Sequence, residues 1–339
     1  MYSSFVRIIE NRVFHYNQIP ILFFLQYYYS MVDLVLDLDT GIDDAIALSI
    51  AAKDKGINLL GVTCTYGNVT VEESAYNTLS LLSLLHREDV PVYIGRNRSL
   101  LSSSPYTPHE AGRKIHGKYG SGDIKLKESP RKPESISAKA FLTSLMKERE
   151  DITIVTTGPM TNLASVLIDE PSLSKWKGKI VFMGGALTVR GNVNHFAEAN
   201  IYKDPESAKT VLESGLDITM IGLDITEKTR LYRKDAEKWK EKGSELGLTL
   251  GSLLDYYLDN TLGKDETYVH DPSAVISVLH PEYFTFLPFP LTVETEGIDR
   301  GRVIIDDKRL LSRKGEIKVA LDVNRRLLEG FLADIEKYL

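Results

Sequence analysis

Asp37, Asp39, Asp43 and Asp44 fall within eight residues, in the run Asp37-Leu38-Asp39-Thr40-Gly41-Ile42-Asp43-Asp44-Ala45. Like charges at this spacing repel, and each carboxylate loses solvation on burial. Such a cluster persists where a cation or a proton-transfer task resolves it. Oxygen donors in a chain with a single cysteine describe a hard-cation site, Ca²⁺ or Mg²⁺ ahead of zinc. Aspartate also builds turns and caps helices. That accounts for one or two of the four, and not for two in the last turns of a buried strand.

The flanking sequence places the acids. Met31 to Leu38 is largely apolar and β-branched and predicts a buried strand; Asp44 to Lys53 predicts a helix. A strand end meeting a helix start is where open α/β sheets take their ligands. Other strand-like runs are Ile57–Thr65, Val90–Ile94, Ile152–Thr156, Lys179–Met183 and Ile218–Leu223. Helical patterns lie between them at Glu72–His86, Ser137–Arg149, Asn162–Leu167 and Asp204–Ser214. This alternation predicts one α/β domain, a mainly parallel, Rossmann-like open sheet flanked by helices. Tyr66-Gly67-Asn68, Thr157-Gly158-Pro159 and Met183-Gly184-Gly185 bring polar groups or close backbone approach to the same sheet edge. Arg96 to Pro133 predicts a long irregular connection, and 232–268 a charged helical region. Leu291–Thr295, Arg302–Asp306 and Ile317–Leu321 predict a short C-terminal β element, with a last helix from Asn324.

Composition narrows the classes. Hydrophobic residues make up 43% and charged residues 26%, as in ordinary globular proteins. The net charge of −6, with no basic cluster, argues against a nucleic-acid surface. No stretch is long enough to predict a membrane partner. Cys64, in a strand-like run, reads as a buried apolar residue, and one cysteine fits a reducing, cytoplasmic setting. Residues 1–30 read as an extension ahead of the domain at 31–339, because Met31 immediately precedes the first good strand.

Taken together, these motifs resemble the inosine-uridine preferring nucleoside hydrolases over nearly everything from Val32 onward. That family opens on Asp-x-Asp-Pro-Gly-x-Asp-Asp-Ala, matched by Asp37 to Ala45. Further matches are Gly67-Asn68, Thr157-Gly158-Pro159-Met160-Thr161-Asn162, Met183-Gly184-Gly185, Gly191-Asn192, Ala197-Glu198-Ala199-Asn200, Asp204-Pro205-Glu206 and His270-Asp271-Pro272. Each is weak alone; in this order and spacing they are specific.

The resemblance implies the nucleoside hydrolase fold and hydrolysis of the N-glycosidic bond of ribonucleosides. It implies that Asp39, Asp44, the Thr157 carbonyl and Asp271 bind Ca²⁺, with Asp39 doubling as general base. Asp43, Asn192, Glu198 and Asn200 would hold the ribose, with Asn68 and Met183 completing the sugar pocket. His270 matches the position proposed to protonate the base. A homo-oligomer, tetramer or dimer, is also implied. Asp37 reads as a support behind the ligands, and Asp271 on its own as a helix cap before Pro272. His116, in the long connection, and Tyr257, beside Tyr256, are candidates for the base wall; surface placement and ordinary packing are the alternatives. Carboxylates and amides suit a neutral polyol better than a phosphate.

Two positions depart from the family pattern. Thr40 replaces a proline, and Ala199 a phenylalanine near the base, leaving either a larger pocket or a gap filled by another aromatic residue. With Trp176 and Trp239 in polar helical stretches, no tryptophan pair offers to sandwich a purine. Two other classes compete. Asp37-Leu38-Asp39-Thr40-Gly41 also resembles the nucleophile motif of haloacid-dehalogenase-like phosphatases, which leaves Asn68, Glu198 and His270-Asp271 unexplained. A non-catalytic nucleoside-binding protein is the other.

Overall fold

The computed structural model describes residues 31–261, 263, 265–310 and 315–339; the expectation for residues 1–30 lies outside them. Eleven strands are described: β1 Val32–Leu38, β2 Ile57–Cys64, β3 Val92–Ile94, β4 Thr153–Thr156, β5 Lys179–Met183, β6 Asp217–Ile221, β7 Arg230–Tyr232, β8 Glu266–Tyr268, β9 Phe284–Val293, β10 Val303–Ile305 and β11 Glu316–Val323. Nine form one sheet in the order β10-β9-β11-β6-β5-β4-β1-β2-β3. From β11 to β3 every neighbouring pair is parallel. The chain lays β2 and β3 on one side of β1, then returns to lay β4, β5 and β6 on the other. The order reverses between β1 and β4, so their C-terminal ends open the crevice where such sheets bind ligands. Asp39 follows β1 and Thr157 follows β4.

The sheet is covered on both faces, as a parallel sheet requires. Leu34, Leu36 and Leu38 pack with the helix Ile42–Lys53 and with Leu253 and Leu254 in one apolar cluster; Val35 and Ile154 pack with Leu163 and Val211 in the other. Within the described residues, no helix is long and apolar enough to cross a membrane.

Several boundaries differ from the sequence reading. β1 stops at Leu38, which leaves Asp39 in the turn. The first helix begins at Ile42, because Asp44 Oδ2 accepts the Gly41 N–H at 2.8 Å and completes its cap. Asp271 opens the helix Asp271–Leu279, and His270 occupies the cap position expected for Asp271. The 232–268 region holds the helices Arg233–Glu241 and Glu245–Asn260 and an antiparallel ribbon of β7 and β8. Trp176 and Trp239 are buried in the two apolar clusters, on the inner sides of their polar stretches.

Candidate active site

Asp39 is wholly buried at the end of β1. Its Oδ2 accepts the Asn68 N–H at 2.7 Å, and its Oδ1 accepts from Asn68 Nδ2 at 3.2 Å. The same Nδ2 lies 3.2 Å from Asp44 Oδ2, so one amide spans two carboxylates. Glycine permits this approach. A Cβ on Gly67 would stand 1.9 Å from Asp39 Oδ2, and one on Gly158 would stand 3.1 Å from Asp39 Cγ. A Gly67→Ala variant is therefore expected to displace Asp39, destabilising the fold by about 1–3 kcal/mol and lowering kcat by more than about 100-fold. Thermal melting and steady-state kinetics check this; unchanged kcat would refute the packing argument.

Asp43, Asp44 and Asp271 bring one carboxylate oxygen each to within 4.8 Å of one another. Asp43 and Asp271 face each other side chain to side chain, each raising the other's cost of ionisation or sharing its charge. Asp43 Oδ1 is buried with no partner. Thr157 links the cluster to its neighbours: its hydroxyl donates to Asp44 Oδ1 at 2.7 Å, and its carbonyl accepts from Asn200 Nδ2 at 2.6 Å. Burial, followed by the neighbouring carboxylates, pushes Asp43 and Asp44 up to about 6. Asp39 rises to about 7, chiefly by burial, against the opposing pull of Lys203. Asp271 is raised for the same two reasons as Asp43. Crowded oxygens, an orphaned acceptor and carboxyls driven toward protonation are what a hard cation would relieve. The donors fit. The trio includes Asp43 and leaves Asp39 outside, whereas the sequence reading grouped Asp39, Asp44, Thr157 and Asp271.

Asp37 lies behind this cluster. Its Oδ1 accepts from Thr63 Oγ1 and Asn162 Nδ2, each at 2.7 Å. It faces strand and helix side chains.

Glu198 caps the short helix Ala199–Lys203, accepting from the Asn200 and Ile201 N–H groups and from Gly185 N–H at 2.9 Å. Asn200 Nδ2 also reaches the Met183 carbonyl at 3.2 Å. Glu198, Asn200, Met183 and Thr157 therefore converge over β4 and β5. Asn192 is exposed, and its Oδ1 accepts the Ala199 N–H at 2.9 Å. Through that bond it fastens the segment carrying Ala199.

The opposite wall comes from distant chain. His116 closes the helix Glu110–His116 in the long connection. Its Nδ1 accepts the Ile42 N–H at 3.2 Å, which leaves Nε2 as the protonated nitrogen of the neutral ring. Burial and the nearby positive charge of Lys203 push it down to about 3. A Cβ on Gly41 would meet this ring at 2.5 Å, so the glycine of the first motif admits the histidine. Tyr257 is buried 5.8 Å from the His116 ring and hydrogen-bonds Asp43. Tyr256 packs over Gly122, and its hydroxyl donates to the Lys114 carbonyl at 3.4 Å. His270 Nδ1 lies 2.9 Å from Thr226 Oγ1, and burial, helped by Arg230, pushes it down to about 4. Both imidazoles are neutral at pH 7.

Lys203 escaped the sequence reading. Its Nζ lies 3.5 Å from Asp39 Oδ2. Its one sequence signal is its spacing, three residues past Asn200 in a helix.

A family model described as inosine-uridine preferring nucleoside hydrolase matches residues 34–329. The chain belongs to the inosine-uridine preferring nucleoside hydrolase family. The pyrimidine-specific ribonucleoside hydrolase RihA of Escherichia coli O1:K1 is 34% identical, over 90% of this chain and 98% of that one. The purine-preferring ribonucleoside hydrolase of Gardnerella vaginalis has a solved structure that superposes with a TM-score of 0.87 at 38% identity, over 90% of this chain and 98% of that one. A plant nucleoside hydrolase, PpNRh1, gives a TM-score of 0.85 at 32% identity, over 90% and 98% of the two chains. These nucleoside hydrolases share the fold expected from the strand and helix alternation. This chain is an enzyme of that family, whose relatives act on N-glycosyl bonds of ribonucleosides.

Proposed function

We propose that this nucleoside hydrolase cleaves ribonucleosides to free base and ribose, with Asp39 as general base and Ca²⁺ as its cation. The observation that carries the proposal is the crowding of the Asp43, Asp44 and Asp271 carboxylates, one oxygen of Asp43 orphaned, with Thr157 bonded to Asp44 and Asp39 joined to Asp44 through the Asn68 amide. Asp39, Asp44, Asp271 and the Thr157 carbonyl would hold the ion. When bound, such an ion lowers the pKa of a water and holds the ribose diol.

The protein's own groups do the rest. Asp39 accepts the proton of the attacking water, through an oxygen that Asn68 keeps in place. Asp43, Glu198 and Asn200 receive the ribose hydroxyls, Asn68 and Met183 close the sugar pocket, and Asn192 holds the segment beside it. Contacts that strengthen as the sugar flattens towards its oxocarbenium-like transition state favour the transition state over the ground state. The leaving base meets His270, with Thr226 on Nδ1, and His116 and Tyr257 line the same wall. A neutral imidazole offers the departing base nitrogen a hydrogen bond from its N–H, and the proton that completes departure comes from solvent.

On specificity, the base wall is built from imidazole and phenol. Both tryptophans are committed to the core, so no indole pair selects a purine. This supports acceptance of inosine and uridine alike. One buried cysteine, Cys64, fits the cytoplasm, and the family resemblance supports a dimer or tetramer. The proposed substrate is a small nucleoside, with neither nucleic acid nor membrane as partner. Chromatographic release of free base from inosine, adenosine, guanosine, uridine and cytidine tests the reading. Turnover of both inosine and uridine is expected; release of phosphate from nucleotides with nucleosides untouched would favour the phosphatase alternative.

A further inference from the structure

Among the described residues, Lys203 is the only lysine or arginine paired with any of Asp37, Asp39, Asp43, Asp44 or Asp271. It lies between two family motifs and belongs to neither. It ends the helix Ala199–Lys203, so it shares a face with Asn200, three residues earlier. Asn200 sends its amide to the carbonyls of Thr157 and Met183. Lys203 sends its ammonium in the same direction, to Asp39 Oδ2 at 3.5 Å. That oxygen already accepts the Asn68 N–H at 2.7 Å. The Lys203 side chain is 14% exposed and that of Asp39 is 0% exposed.

A lysine prefers to leave its ammonium in water, and withdrawing it demands a compensating partner. Here the partner is a carboxylate crowded by others. Tyr106, whose hydroxyl donates to the Gly67 carbonyl at 2.8 Å, and Glu198 also face the ammonium. An anionic ligand brought to Lys203 would meet Asp39 and Glu198 as well, so the arrangement does not describe a phosphate site.

We propose that Lys203 is a positioning residue for Asp39 and a tethered counter-charge for the aspartate cluster. With Asn68 it fixes Oδ2, which directs Oδ1 to the water. Its charge also offsets the carboxylates when no cation is bound. The positioning part rests on the reading of Asp39 as general base; the counter-charge part does not.

The test is a double-mutant cycle of wild type, Lys203→Met, Asp39→Asn and the double variant, melted in EDTA and again with CaCl₂. Removing one partner of a buried pair strands the other charge. In EDTA, Lys203→Met is expected to melt at least about 5 °C below wild type, and the added Asp39→Asn change to recover part of that loss. CaCl₂ is expected to raise the melting temperature of Lys203→Met more than that of wild type. With nucleoside, Lys203→Met is expected to lose about tenfold or more in kcat with KM within threefold. Additive losses in EDTA would overturn the counter-charge, and an unchanged kcat would overturn the positioning role. Should Lys203→Met fail to fold, Lys203→Gln, which keeps a donor but no charge, takes its place with the same expectations. A wild type that neither responds to CaCl₂ nor hydrolyses nucleosides would sink the proposed function, while the cycle in EDTA would still decide the counter-charge.

Discussion

Asp39→Asn is expected to lower kcat for nucleoside hydrolysis by about three orders of magnitude or more, with the fold intact. General-base catalysis contributes roughly 10²–10⁴-fold, and the substitution removes it while preserving side-chain volume. Asparagine still fits between Gly67 and Gly158, whose missing Cβ atoms make the space. Its neutral amide also avoids the burial and the repulsion that raise the Asp39 carboxyl to about 7, which offsets part of what is lost when Lys203 is left without its carboxylate. Circular dichroism, melting and kcat measured together separate the two effects. Undiminished turnover in the folded variant would exclude Asp39 as base.

Chelation is expected to have an effect of similar size. Stripping with EDTA or EGTA should abolish activity and lower the melting temperature, and Ca²⁺ should restore both. Asp43, Asp44 and Asp271 crowd their oxygens within 4.8 Å, and without a cation each is driven toward protonation by burial and by its neighbours. A bound ion stabilises only the folded state, by RT ln(1 + [L]/Kd), or about 4 kcal/mol at a thousandfold excess over Kd. Ca²⁺ tolerates the irregular carboxylate and carbonyl set better than Mg²⁺, which demands near-octahedral geometry. Restoration is therefore expected to be weaker with Mg²⁺. Activity and melting that ignore both chelators would remove the metal from the account.

Much of this architecture was legible in the chain because a parallel sheet buried on both faces writes its strands as apolar runs. β1, β2, β4, β5 and β6 all lie within a residue or two of the runs that announced them. β9 was legible only in part. Pro288 and Pro290 argue against a strand, yet β9 runs from Phe284 to Val293. β10 pairs only with Leu291, Thr292 and Val293, so both prolines lie outside that ladder, where no N–H is asked of them; Pro290 still accepts the Asp306 N–H at 2.8 Å through its carbonyl.

In the site, contiguous motifs were readable and contacts across the chain were not. The Asp37-to-Asp44 run declared itself by charge. That Gly41 admits His116, 75 positions later, follows from the path of the long connection. Lys203 looked like any lysine on a polar helix, because its partner lies 164 residues earlier. Asn192, by contrast, matched a motif, and the fold places it at the surface holding Ala199.

Incubating inosine and uridine in phosphate-free buffer with CaCl₂, and measuring free base and reducing sugar together, decides whether Asp39 drives N-glycosidic hydrolysis here. Equimolar base and ribose are expected from the wild-type protein, and neither above background from Asp39→Asn. Intact nucleoside after exhaustive incubation with the folded, calcium-loaded wild type would contradict that expectation.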